Sequence, residues 1–183
     1  MRRLACIALV STLAAPAAAR PELTPPPSAR RATIDRVIAV VGGVVVFASE
    51  LATQVRWGSA DLSATPARKR HASIRKLARQ SYEALIERAL VEAAGARAGE
   101  QVSDAERKTL LDQMDWPSPE ATCAAARISR EEYDRMLTAM VLEQRLFGRW
   151  LQNHPTESAG DSARKKWLRE LFRDIPVERR LRF

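Results

Sequence analysis

Apolar and polar positions follow more than one rhythm along this chain. In residues 34–50, IDRVIAVVGGVVVFASE, every position from Val37 to Ala48 is apolar or glycine. A membrane-spanning helix needs about 20 apolar residues, and this run is shorter and bounded by Arg36 and Glu50. A phosphate loop or dinucleotide fold needs further glycines, and in the first case a lysine, that the sequence around Gly42-Gly43 lacks. Valine-rich arms on either side of Gly-Gly fit a two-residue β-hairpin, because both turn positions require positive φ. An isolated hairpin is marginal in water, so this one calls for a third strand.

From Ser49 onward the spacing becomes helical. Ser49 caps a short helix through ELATQVRW, with Leu51, Val55 and Trp57 inward, and residues 58–64 form a loop. Thr65-Pro66 then starts a long helix, a cap followed by proline at the first helical position. Ile74, Leu77, Ala78, Leu85, Ile86, Ala89, Leu90 and Ala93 recur along it at three and four, and Gly95 and Gly99 end it. Ser103-Asp104-Ala105-Glu106 is a capping box opening a helix with Leu110, Leu111 and Met114. Pro117 and Pro119 interrupt the chain before a short helix that ends at Arg127. A second capping box, Ser129 to Glu132, starts a helix to about Gln152, with Tyr133, Met136, Leu137, Met140, Val141, Gln144, Phe147 and Leu151 along one side.

After the turn NHPTESAGD, a last helix presents Trp167, Leu168, Leu171 and Phe172 inward. The period then changes to two in IPVERRLRF, where Ile175, Val177, Arg179, Leu181 and Phe183 share a face, and Pro176 suits the start or edge of a strand. This is the other strand-like segment of the chain, so the two ends are expected to meet. The fold class is mainly α: a helical domain with a small antiparallel sheet made by the N-terminal hairpin and the C-terminal strand.

Composition adds a compartment to this picture. Residues 1–19 have the three parts of a cleavable signal peptide: basic Arg2-Arg3, an apolar stretch from Leu4 to Leu13, and Ala17-Ala18-Ala19 as cleavage site. Residues 20–33, with Pro21 and Pro25-Pro26-Pro27, read as an extended tether. Residues 34–183 are then one domain, and the destination is the periplasm. Removing the leader takes away Arg2, Arg3 and Cys6, and leaves Cys123 as the only cysteine, so stability must come from core packing without an internal disulfide. Cys123 reads as a small buried hydrophobe.

Three segments carry a family resemblance: IDRVIAVVGGVVVFASELATQV, LIERALVEAAGARAGEQVSDAE and ARKKWLRELFRDIPVERRLRF. On these, from about Ile34 to Phe183, the chain resembles the SurA-type periplasmic chaperones, relatives of the parvulin prolyl isomerases. The resemblance implies a helical domain completed by the C-terminal helix and strand, here residues 162–183. It also implies binding of unfolded polypeptides, outer-membrane protein precursors among them, without ATP. In that family one or more parvulin domains lie between the long helix and the final helix. Here that interval is NHPTESAGD, far too short for a domain, so the isomerase is expected to be absent.

The residues themselves offer no catalytic constellation. His71 and His154 have no ligand-spaced partners, Glu131-Glu132 and Asp112/Asp115 read as caps and helix-surface charges, and no Gly-x-Ser-x-Gly elbow occurs. No enzyme activity, cofactor or metal is expected. Trp57, Met114, Trp116, Met136, Met140 and Phe147 are the candidate peptide-binding residues, since methionine and aromatic surfaces adapt to varied partners. The alternative is that most of them are ordinary core. Residues 162–183 hold eight basic and three acidic residues in a chain of net charge +8. This segment is a solvated basic face, or the dock for an anionic membrane surface or one folded partner. Nucleic acid is disfavoured, because no base-stacking aromatic array accompanies the charge.

Overall fold

In the computed structural model, which describes residues 35–59, 66–114 and 117–183, the valine run folds back on itself as β1 (Val37–Val41) and β2 (Val44–Phe47). The leader and tether lie outside the described residues. Gly42 and Gly43 take φ of 54° and 95° in the turn, the region that favours glycine. The register pairs Val41 with Val44 and Val37 with Phe47, with an irregularity between Val37 and Ala39. That irregularity lets the neighbours Ile38 and Ala39 both be buried, against the alternation of a regular strand.

The third strand comes from the far end of the chain. β3 (Val177–Arg179) runs antiparallel to β1, with Val41 opposite Val177 and Ala39 opposite Arg179, and the order is β2-β1-β3. The Gly42 amide donates to the Pro176 carbonyl and the Arg180 amide to that of Ile38, both at 2.9 Å. The alternation expected of IPVERRLRF holds: Ile175 is buried, Val177 and Leu181 pack against the first core, Arg179 reaches Glu83, and the Phe183 ring meets Tyr82.

Among the described residues, six helices lie between the strands: α1 (Ala48–Ser59), α2 (Ala67–Arg97), α3 (Asp104–Gln113), α4 (Pro119–Ala126), α5 (Arg130–Asn153) and α6 (Asp161–Asp174). α2 lies against the sheet, and its Tyr82, Leu85, Ile86, Ala89, Leu90 and Ala93 form the first core with Ile38, Val41, Val46 and Ile175. A second core joins Val91, Leu142, Trp150, Trp167 and Leu168, and a third gathers Leu110, Tyr133, Leu137 and Val141. α5 and α6 pack directly across the short turn: Arg164 bonds Glu143, and the Trp150 indole donates to Glu170 at 2.7 Å.

Several boundaries differ from the sequence expectation. α1 begins at Ala48, so Ser49 lies inside the first turn instead of capping it. There the Ser49 hydroxyl and amide bond Asp35, and the Glu50 carboxylate receives the Phe47 amide. α1 also runs through Gly58 to Ser59. Thr65 is outside the described residues, and Pro66 itself occupies the cap position of α2. Gly95 does not end α2; the helix continues to Arg97, and Gly99 takes the left-handed φ of 67°. Gly95 instead admits Leu142, whose Cδ1 would lie 2.9 Å from a β-carbon there. On α5, Gln144 is exposed, while Ala139, Leu142 and Trp150 are buried. The helix is gripped on two sides, by the second and third cores, so its buried surface is wider than one stripe. The Ser103 box forms in full, but at Ser129 only the hydroxyl half does, accepting from the Glu132 amide at 3.0 Å.

Candidate functional site

Trp57 stands in the last turn of α1 and is 47% exposed, where the sequence expectation had it inward. The helix beneath it is fixed from two directions. Gly58 lets α1 approach Leu77 of α2, whose Cδ1 would lie 3.0 Å from a β-carbon at that position. At the other end, the Glu50 carboxylate accepts from Arg88 of α2 at 2.7 Å and from Arg135 of α5 at 2.9 Å. Arg135 also meets Glu92 at 2.9 Å, so α1, α2 and α5 share one partly buried charge cluster. Glu132 belongs to the same cluster. Burial, then the negative charge of Glu50, push its carboxyl up, against the pull of Arg88 and Arg135.

Facing Trp57 is a cavity of about 440 Å³ lined by Pro117, Ala121, Thr122 and Ala125. The local sequence explains these walls. Ser118 caps α4 by accepting from the Ala121 amide, and Pro119 sits in its first turn, so the short helix starts where proline fits best. Thr122 donates its hydroxyl to the Pro117 carbonyl at 3.3 Å, which removes the one side-chain hydroxyl of the wall from competition. Small side chains leave space that Trp57 does not fill, and the hollow is almost wholly apolar. A second hollow of about 340 Å³ on Trp57 involves Gln54, Gly58, Leu77 and Ser81.

The other expected contact residues fall in different places. Met136 and Met140 line a smaller hollow of about 200 Å³ between α2 and α5, which shares Gln54 with the Trp57–Leu77 hollow. Both methionines also pack on the third core, as does Met114. Phe147 is part of the second core, 5.4 Å from the Trp167 ring and 6.0 Å from that of Trp150. Trp116 lies outside the described residues. The structure thus brings Trp57, Met136 and Met140 onto neighbouring hollows through Gln54, and places Met114 and Phe147 against cores. Sequence reasoning passed over Pro117, Ala121 and Ala125, because alanine carries no recognition chemistry. The signal was the run of small residues after PSP, which builds a helix with little bulk.

The remaining chemistry is structural. His154 is held by its Nδ1 against the Trp150 carbonyl at 2.8 Å and stacks on that ring at 4.1 Å. Cys123 is partly buried beside the third core. Five of the eight cations of residues 162–183 are paired within the fold: Arg164 with Glu87 and Glu143, Lys166 with Glu157, Arg173 with Asp174, Arg179 with Glu83, and Arg180 with Glu178. Among the described residues no cluster of three His, Cys, Asp or Glu side chains could hold a metal ion, and no helix is long and apolar enough to cross a membrane.

Fold and site together define a mainly helical module, closed by a sheet of its own two ends, with an apolar hollow under an exposed tryptophan. No protein-family model, curated protein or solved structure matches the chain.

Proposed function

We propose that this protein is a periplasmic, ATP-independent chaperone of the holdase type. It binds unfolded polypeptide segments, outer-membrane protein precursors among them, at the Trp57 hollow, and has no prolyl isomerase activity. The observation that carries this reading is the apolar cavity facing a half-exposed indole. Water leaves such a surface readily, and burial of an apolar side chain there needs no nucleotide. Its walls of proline, alanine and threonine make few directional demands, as suits clients of varied sequence. The fold agrees with what the SurA-type resemblance implies, since the last helix and strand complete the domain that the hairpin opens.

The test is suppression of aggregation of several unrelated unfolded β-barrel proteins at near-stoichiometric ratio. Trp57→Ala is expected to weaken client binding about tenfold or more, in line with the loss of a central aromatic anchor, while the melting temperature stays near that of the wild type. Binding of a single folded partner only, or suppression that ignores Trp57→Ala, would overturn the reading. The same preparation is expected to leave X-Pro isomerisation of a peptide at its background rate.

A further inference from the structure

The helix α2 changes character near Ser81. Beyond it lies the stretch that builds the first core; before it, from Ala67 to Gln80, stand Arg68, Lys69, Arg70, His71, Arg75, Lys76 and Arg79, with no acid among them. The first carboxylate of the helix is Glu83, and Arg179 occupies it at 2.6 and 2.8 Å. By contrast, all four arginines of α5 meet carboxylates. Arg68, Arg75, Lys76 and Arg79 form no ion pair or hydrogen bond among the described residues. All four line one side of α2 over about 16 Å, at a rise of 1.5 Å per residue, and with His71, Ala72 and Phe183 they bound a cavity of about 660 Å³.

This placement works against the helix. Cations in a first turn oppose the macrodipole, and like charges four apart, as at Arg75 and Arg79, repel. Helix stability alone would favour acids here, and the first turn has none. Phe183 is 49% exposed at the rim, its ring steadied 5.4 Å from that of Tyr82. A linear row of unpaired cations flanked by one exposed aromatic ring matches a flat anionic interface, with cations at the phosphates and the ring at headgroup level. Single-stranded nucleic acid binders interleave several stacking rings with their charge, whereas this face offers one.

We propose that the N-terminal half of α2, together with Phe183, docks the protein on an anionic phospholipid bilayer surface. This face is separate from the Trp57 hollow and stands whether or not that hollow binds clients. The electrostatic pull of the bilayer is about fivefold in partitioning per cation near the surface.

Flotation of the full chain with vesicles is the test. Binding to vesicles of phosphatidylcholine mixed with phosphatidylglycerol is expected, and none to phosphatidylcholine alone. The triple variant Arg75→Gln/Lys76→Gln/Arg79→Gln is expected to lose about a hundredfold in partitioning. The control Lys108→Gln/Lys165→Gln/Arg169→Gln carries the same change in net charge on exposed residues elsewhere, and is expected to lose less than about fivefold. Phe183→Ala is expected to cost about fivefold. Helix content by circular dichroism should be retained in every variant, since the altered side chains are exposed. Equal losses in the two triple variants, equal binding to the uncharged vesicles, or capture of an oligothymidylate or polyglutamate in place of the mixed vesicles would each overturn the proposal.

Discussion

The Glu50 side chain is 10% exposed and accepts from Arg88, Arg135 and the Phe47 amide. Removing it leaves Glu92 as the one direct ion-pair partner of both guanidinium groups among the described residues, and breaking a buried pair on one side is costly. Glu50→Ala is expected to lower stability by about 3 kcal/mol, read as a lower urea midpoint at unchanged slope. Glu132 is expected to act oppositely. Its carboxyl is pushed up in the folded chain, so the folded state holds that proton more tightly than the unfolded one. Ionisation of Glu132 therefore subtracts stability as pH rises above the ordinary carboxylate range. Glu132→Gln should raise Tm at neutral pH, with the gain fading below about pH 4; an equal or lower Tm at neutral pH would refute the sign. The turn glycines differ in a similar way. A β-carbon on Gly42 would lie 2.8 Å from Ile175 Cγ2 and 2.9 Å from Ala93 Cβ, whereas one on Gly43 meets nothing within 4 Å. Gly43→Ala should cost about 1 kcal/mol for its φ alone, and Gly42→Ala about 2 kcal/mol more through overpacking. Two near-equal losses in chemical denaturation would show that the Ile175 contact does not constrain the turn.

At the scale of elements, most of the architecture was legible because amphipathic periodicity reports which face is buried. The eight apolar positions named on α2 lie on the buried or half-buried side, and the period-two pattern of IPVERRLRF placed β3 correctly. Caps were legible where the side chain is free to act locally. Ser103 and Glu106 close their box, and Ser103→Ala is expected to cost about 1 kcal/mol. At Ser49 and Ser129 tertiary partners intervene: Asp35 takes the first hydroxyl, and Glu132 lies in the field of Glu50, Arg88 and Arg135. The sheet offers the sharpest element-level test. Deleting residues from Ile175 onward removes β3 and a buried core side chain, and leaves β1 with an unpaired edge. Cooperative thermal melting should vanish, and a truncated protein melting like the full chain would refute the closing role of β3.

At the scale of the whole molecule, the candidate site was legible in one residue and not in its partners. Trp57 was singled out as adaptable apolar surface, but the helical spacing pointed it inward. The wall opposite it comes from α4, distant in sequence and composed of side chains that carry no recognition signal. Charge was misplaced in the same way. Residues 162–183 hold the visible excess of cations, yet folding sets Arg164, Lys166 and Arg179 against carboxylates of α2, α5 and the turn before α6. The cations left without such partners include Arg68, Arg75, Lys76 and Arg79, in the acid-free first half of α2.

Sequence by itself determined the elements: the Gly-Gly hairpin, the amphipathic helices, the caps at Ser103 and Ser129, and a final strand obliged to find the hairpin. Those follow from local sterics and the period of burial, which a single chain segment contains in full. Only the tertiary structure decided that Trp57 remains exposed, where small side chains leave a hollow, and which cations among the described residues keep their charge unpaired. Such properties depend on the distance between side chains far apart in sequence, and no local pattern records that distance.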